Sequence, residues 1–117
     1  MDATPAPLTG DARDKLQPAL ARSNVTWAEV EGWLNAGHAL LWKIDGGKAY
    51  VLTVATENEI EGLLAGGADA REWAVPFGRF MRAHPLHAGK RLVVNGRKGW
   101  RRLLTGWRED NGELRLD

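Results

Sequence analysis

Two adjacent glycines lie in the stretch LLAGGADAREWAVPF, between an apolar run and a segment with helical spacing. A strand followed by glycines and a helix start can bind phosphate, because the backbone approaches closely and free N–H groups point at the anion. The residues that could form such a site are Gly66, Gly67, Ala68 and Arg71. Asp69 opposes it, because as helix N-cap its carboxylate would occupy these donors and repel phosphate. We therefore expect the glycines to turn a corner into a capped helix rather than to hold a cofactor.

Glutamates are the other candidates for chemistry. Glu59 and Glu61 lie near the start of the strand-like run IEGLLAG, where a carboxylate could take a proton from an amine. Such a carboxylate can equally be a solvated side chain, and three glutamates over residues 56–61 would also suit a basic partner. We predict no metal site, because the chain has no Cys and the spacing of His84 and His87 brings no third ligand.

The charges are strongly segregated along the chain, although the net charge is only +1. Residues 73–108 contain nine Lys or Arg and no Asp or Glu, whereas residues 1–72 contain 6 basic and 11 acidic side chains. This imbalance predicts a basic surface patch. The patch residues are Lys90, Arg91, Arg97, Lys98, Arg101 and Arg102. The patch could contact nucleic acid, a cofactor phosphate or an acidic protein, or it could be a solvated helix face balanced by the acidic half.

The elements that must position these residues are those of one α/β (α+β) domain. A chain of 117 residues is long enough for one domain with its own core and too short for two of ordinary size. Residues 1–10, MDATPAPLTG, predict an extended arm that either packs on its own domain or is held by a partner. Residues 11–117 form the domain, with the predicted order α-α-β-β-β-α-β-α-β-β.

Two helix starts have the spacing of a capping box, in which an N-cap side chain and a Glu three residues later bond each other's backbone N–H. Thr26 and Glu29 predict one helix, which ends near Gly37. Asp69 and Glu72 predict the second, at the start of AREWAVPFGRFMRAH.

Several fragments together resemble the GNAT superfamily of N-acyltransferases, and in detail a small group of GNAT-like proteins of tailed bacteriophages. They are LQPALAR, VEGWLNAGHALLW, AGGADAREWAVPF, MRAH, VVNGRKGWRRLL and GWRE. The resemblance implies a mixed, mostly antiparallel sheet flanked by helices. It also implies that the pyrophosphate of acyl-CoA would bind at the strand–helix junction over Leu64 to Ala70. In active enzymes the strand pair at the place of residue 64 separates to admit the cofactor arm.

The chain departs from the acyltransferase pattern at two places. The usual loop, Arg/Gln-x-x-Gly-x-Gly/Ala, is reduced to AGGADAR. The Tyr that commonly serves as the acid is missing from RKGWRRLL, where Arg102 or Leu103 stands near its position. The one Tyr of the chain, Tyr50, belongs to an earlier strand. The resemblance therefore implies a GNAT-like scaffold with degenerate cofactor and catalytic motifs.

Three functions are consistent with these features. The first is a non-catalytic phage virion component, assembled in the host cytoplasm, that docks on other structural proteins and on copies of itself in the head–tail region, the tail or the ejected internal contents. The second is an acyltransferase that uses acetyl-CoA, with a degenerate loop at Gly66–Ala70. If the chain is not an acyltransferase, no cofactor is expected. The third is a nucleic-acid-binding module, in which Trp100 could stack on a base.

Docking would use the arm and exposed aromatic rings. Six Trp in 117 residues is a high number, and such rings are enriched in cores and at interfaces. The candidate interface residues are Pro5, Pro7, Leu8, Trp42, Trp100 and Trp107. No apolar run approaches the ~20 residues of a membrane span, so we expect no membrane association.

Overall fold

The framework of the molecule is a mixed β-sheet. The computed structural model describes residues 1–85, 89–95, 98–110 and 112–116. The strands in these ranges are β1 (Ala3–Pro5), β2 (Ala39–Ile44), β3 (Ala49–Ala55), β4 (Glu59–Gly67), β5 (Arg91–Asn95), β6 (Arg108–Asp110) and β7 (Glu113–Leu116). They form a sheet in the order β1-β2-β3-β4-β5-β7-β6. Every neighbouring pair is antiparallel except β4 and β5, which are parallel.

Helices pack on the sheet. Those in the described ranges are α1 (Gly10–Ala21), α2 (Trp27–Asn35), α3 (Ala70–Ala83) and α4 (Lys98–Leu103). Thr9 begins α1, where its hydroxyl accepts a hydrogen bond from the backbone N–H of Ala12 at 3.2 Å. Thr26 and Glu29 form the complete capping box that their spacing predicts, and this box begins α2.

Alternate side chains of the strands enter two hydrophobic clusters, because successive residues of a strand point to opposite faces of the sheet. One cluster lies under α1 and α2, and its fully buried members include Leu16, Val30 and Leu52. The other lies under α3 and α4 and includes Trp42 and Trp73. The interior strand β3 contributes to both clusters, so the helices of the two faces pack on the same sheet.

The coarse fold expected from the sequence, a mixed and mostly antiparallel sheet flanked by helices, is confirmed. The arm is extended, as expected, but its residues Ala3–Pro5 form a strand that pairs with β2, so it packs on its own domain. Two further backbone bonds hold it, from Asp45 N–H to Asp2 C=O at 2.8 Å and from Ala6 N–H to Leu41 C=O at 2.9 Å.

Candidate functional site

The parallel strands β4 and β5 separate part-way along β4. They are paired from Glu59 with Arg91 to Gly62 with Val94. Beyond that point β4 continues over residues 63–67, where its neighbour among the described strands is β3 alone. One edge of β4 therefore faces a gap in the sheet.

The same point carries an irregularity in the pairing of β4 with β3. Leu52 is opposite Leu64, whereas Thr53 is opposite Gly62, so Leu63 is an extra residue on β4. An extra residue of this kind is a β-bulge, which increases the local twist and bends the strand. The bulge therefore marks the place where β4 turns away from β5.

A cleft of about 800 Å³ opens where the two strands separate. It lies between α1 with the segment that follows it and the start of α3 with α4, and β4 forms its floor. Its apolar lining comprises Pro18, Ala19, Val25, Leu63, Ala65, Ala70, Trp73, Trp100 and Leu103. Its polar side chains are those of Lys15, Arg22, Ser23, Asn24 and Glu61. A cleft of this size and mixed lining can hold an extended ligand.

Glu61 is the carboxylate of this cleft. Burial raises the pKa of its carboxyl group above the ordinary value, and the nearby carboxylates of Glu113 and Glu59 raise it further. Glu59 itself faces a cation, because the guanidinium of Arg91 is 3.9 Å from its carboxylate. Both predicted glutamates lie at the start of β4 as expected, but only Glu61 lines the cleft. A carboxyl group in this setting can accept a proton from an amine.

The two glycines are the last residues of β4 and do not form a loop. Helix α1 crosses so close to Gly66 that a Cβ there would overlap the carbonyl oxygen of Lys15 and lie 2.8 Å from its carbonyl carbon. Gly67 has a φ of +122°, which residues with a side chain rarely adopt. The expectation that the glycines turn the corner is therefore wrong: they admit α1 and end the strand, and the corner is made at Ala68 and Asp69.

The predicted capping box at Asp69 and Glu72 is not formed. Asp69 has left-handed backbone angles, φ 60° and ψ 41°, and its side chain makes no capping hydrogen bond. The carboxylates of Asp69, Glu72 and Asp45 instead surround the ammonium group of Lys48, at 3.6, 2.9 and 3.9 Å. The hydrogen bond to Glu72 is the main cause of a raised Lys48 pKa. Three carboxylates around one ammonium leave this junction with a net negative charge.

Two backbone N–H groups of the junction already have partners. The N–H of Ala68 donates to the carbonyl of Lys48 at 3.0 Å, and that of Glu72 donates to the carbonyl of Asp69 at 2.8 Å. Arg71 is exposed on the first turn of α3 and makes no ion pair within the described residues. The four phosphate-site candidates are therefore adjacent, but only Arg71 offers a charge that an anion would need.

Tyr50 lies on β3 and is tied to α1 rather than to the cleft. Its hydroxyl donates to the carboxylate of Asp11 at 3.0 Å. Burial, and then this carboxylate, raise the pKa of Tyr50. The hydrogen bonds from Lys15 and Tyr50 lower the pKa of Asp11. The one phenol of the chain thus joins the sheet to α1.

The predicted basic patch is partly neutralised by neighbouring carboxylates. The guanidinium of Arg101 is 2.9 Å from Glu109, and Arg91 is the partner of Glu59 described above. Surface pairs of this kind contribute little to stability, but they remove charge that a polyanion would need.

The remaining members of the patch differ in exposure. Arg102 is exposed, Lys90 is partly buried, and neither makes an ion pair within the ranges that the structure covers. Arg97 and the side chain of Lys98 lie outside the described residues. The described part of the patch therefore contains two cations without an ion-pair partner.

The prediction that Trp42 is an interface residue is wrong. Its side chain is fully buried, and its ring packs edge-on against Phe77 and Phe80, with centroids 6.3 and 5.4 Å apart. Its indole N–H donates to the hydroxyl of Thr53 at 2.9 Å. A large, fully buried ring whose polar atom is hydrogen-bonded is a core residue.

The other interface candidates keep some exposed surface. Pro5 and Pro7 are exposed on the arm, and Leu8 is partly buried. Trp100 and Trp107 are also partly buried, and the ring of Trp100 lies 6.2 Å from that of Trp73. These residues stay candidates for contact with a partner.

Sequence reasoning missed several residues of these surfaces. Arg79 and Arg82 are exposed on α3, and helical spacing could have located them opposite the buried face of that helix. Lys15 and Arg22 enter the cleft only because α1 packs across the end of β4, and no local pattern signals that packing.

Comparison with family models, with curated proteins and with solved structures found no match to this chain. Within the described ranges, no group of three or more His, Asp or Glu side chains is placed to hold a metal ion, and His87 lies outside those ranges. None of the helices in the same ranges has the length and apolar character needed to cross a membrane. The cleft and the junction between β4 and α3 are therefore the features of the chain that bear on its function.

Proposed function

We propose that this chain is a GNAT-like protein without a catalytic role, which serves as a component of a phage particle and docks on other structural proteins and on copies of itself. The observation that carries the proposal is the junction between β4 and α3. Acyltransferases bind the cofactor pyrophosphate at this place. Here α1 packs directly against Gly66, and three carboxylates surround Lys48.

The junction opposes a pyrophosphate for electrostatic reasons. A pyrophosphate requires free N–H donors and positive charge, as a helix N-terminus ordinarily provides. The carbonyl oxygen of Lys15 lies over the strand end, and the N–H of Ala68 is already bonded to a carbonyl. The net negative charge around Lys48 adds repulsion. These contacts support a scaffold that has lost its cofactor site.

The placement of the phenol also supports a non-catalytic role. Departure of a thiolate needs an acid near the cleft. Tyr50 is bonded to Asp11 beside α1, and the positions on α4 where the family carries its Tyr hold Arg102 and Leu103. Leu103 lines the cleft, but its aliphatic side chain cannot act as a general acid.

The GNAT-like part of the proposal is supported by the strand separation. The resemblance implies a strand pair that opens beside residue 64, and β4 leaves β5 after Gly62 with a bulge at Leu63. A binding protein can retain such a scaffold without its chemistry, because a fold does not determine function.

Docking is supported by the arm and by the distribution of charge. Pro5 and Pro7 present an exposed edge next to β2, and Arg79, Arg82 and Arg102 are exposed arginines without ion-pair partners in the described part of the chain. Residues 1–72 have an acidic excess. Opposite charges on one chain allow copies to dock on each other in a symmetric assembly.

An acetyl-CoA-dependent N-acyltransferase is the second candidate, and Glu61 favours it. Its carboxylate lies in the cleft with a raised pKa, where it could deprotonate an amine.

The third candidate, a nucleic-acid-binding module, is favoured by the exposed arginines Arg79, Arg82 and Arg102, which have no ion-pair partner in the described part of the chain. Its affinity for DNA or RNA would fall steeply with salt.

The proposal is tested by measuring the chain in purified particles. Quantitative mass spectrometry should find it at a fixed ratio to a structural protein. Deleting residues 2–6, which removes β1 and keeps the Thr9 cap, should reduce its incorporation at least several-fold. The matched control is Thr4→Ser, which keeps β1. Absence of the chain from particles would contradict the proposal. Normal incorporation of a folded deletion variant would contradict the role of the arm.

A further inference from the structure

We propose that the cleft binds an extended basic segment of another protein, which adds as a strand to the open edge of β4. This inference rests on the proposed docking function and names its binding mode and the chemistry of the partner. The occupant is defined by three features of the cleft: the open strand edge, an apolar wall and an unpaired carboxylate.

The open edge gives the binding mode. Residues 63–67 of β4 have β3 on one side and the cleft on the other. Among the described residues this edge of β4 has no strand neighbour, and such an edge presents backbone N–H and C=O groups to an incoming chain. At about 3.3 Å per residue, this edge matches a segment of roughly five residues. Packing of α1 against Gly66 limits the segment at that end.

The apolar wall selects the side chains on one face of the segment. Trp73, Trp100 and Leu103 line the cleft on the side of α3 and α4, and Ala65 of β4 lies beside them. Alternate residues of an extended chain would point at this wall. Trp73 is buried and Trp100 is partly exposed, so this wall suits small apolar side chains rather than charged ones.

The charge of the cleft selects the other face. Glu61 makes no hydrogen bond or ion pair within the described residues, and the carboxylates of Glu59 and Glu113 are close enough to raise its pKa. The ammonium of Lys15 is already bonded to Asp11 and to the carbonyl of Gly47, and Arg22 also has a partner. Of the charged side chains that line the cleft, Glu61 is therefore the one without a partner among the described residues. A Lys or Arg of the segment would pair with Glu61.

The test uses a blocked five-residue peptide in which lysine alternates with alanine. Added at millimolar concentration to the ¹⁵N-labelled full chain, it should shift the amide signals of residues 62–67 and slow their hydrogen exchange. Glu61→Gln should weaken binding about tenfold, because a charge-assisted contact is lost. Glu57→Gln, an exposed glutamate outside the cleft, should leave the affinity unchanged.

Two control peptides separate strand addition from charge alone. The peptide with glutamate in place of lysine, and the lysine peptide with N-methylated alternate residues, should both fail to bind. Equal binding of either control, shifts confined to other surfaces, or no shift at millimolar peptide would overturn the inference. Its failure is distinguishable from that of the proposed function, because the chain could still be found in particles with its arm required for incorporation.

Discussion

At the residue scale, Gly66 has a packing role. The backbone of α1 occupies the space of its missing side chain, so any Cβ must displace a helix rather than a flexible side chain. We expect Gly66→Ala to lower the free energy of unfolding by about 3 kcal/mol.

Urea unfolding followed by circular dichroism measures this change. The matched control is Gly32→Ala on α2, where a Cβ meets open space. That substitution should raise stability by about 0.5–1 kcal/mol, because Ala is the better helix former. A Gly66→Ala variant as stable as the wild type would show that α1 does not pack closely on β4.

Glu61 makes stability depend on pH with a definite sign. Its folded-state pKa is raised by burial, so the folded chain holds this proton more tightly than the unfolded chain. The stability it contributes is complete below the unfolded pKa and is lost as pH rises through the folded pKa. We therefore expect Glu61→Gln to be more stable than the wild type at pH 7, with a difference that disappears near pH 4.

The measurement is the difference in urea midpoint between variant and wild type at the two pH values. Glu57→Gln serves as the control, because its side chain is exposed. A Glu61→Gln variant that is less stable than the wild type at pH 7 would show that Glu61 has a cationic partner.

At the element scale, the helix starts show what a local pattern can predict. Thr26-x-x-Glu29 and Asp69-x-x-Glu72 have the same spacing, yet only the first forms a capping box. The backbone at Asp69 is left-handed because the chain must leave β4 there, and this constraint comes from the sheet. Thr26 follows an irregular segment and is free to adopt extended angles.

The two sites should respond oppositely to substitution. Thr26→Ala should destabilise the protein by about 1 kcal/mol, because the capping hydrogen bond is lost. Asp69→Gly should leave stability unchanged or raise it by up to about 1 kcal/mol, because glycine adopts the left-handed angles without strain. Thermal unfolding of both variants checks this pair, and a large loss in Asp69→Gly would mean that the Asp69 carboxylate stabilises the junction, through its contact with Lys48 or as a cap of α3.

The strand pattern shows the same limit. The mixed fold of helices and a mostly antiparallel sheet follows from periodicity and turn residues within the chain. Strand β1 could not be predicted from the sequence, because Ala3–Pro5 is short and contains Pro. It becomes a strand only through pairing with β2, which lies far along the sequence. The bulge at Leu63 and the separation of β4 from β5 are likewise properties of neighbouring strands. The candidate site therefore needed the structure, although Glu61 was already visible as a candidate.

At the scale of the whole molecule, acidic and basic side chains lie in different regions. The acidic residues 1–72 include the carboxylates that surround Lys48, whereas Arg79, Arg82 and Arg102 are exposed further along α3 and on α4. This segregation of charge can be predicted from the sequence, because counting the charged residues along the chain is enough to reveal it. Which carboxylates collect at the junction depends on the fold, and that collection is what disfavours a phosphate ligand.

The central claim is that the junction between β4 and α3 does not hold a cofactor pyrophosphate. Calorimetric titration of the purified full chain with acetyl-CoA at low salt, with ATP as the phosphate control, tests it most directly. We predict no heat from acetyl-CoA beyond the weak heat that ATP also gives. Micromolar binding of acetyl-CoA, with no such binding of ATP, would contradict this claim and favour an acyltransferase. In that case Ala65→Leu, a folded variant with a larger side chain in the cleft, should abolish the binding of acetyl-CoA.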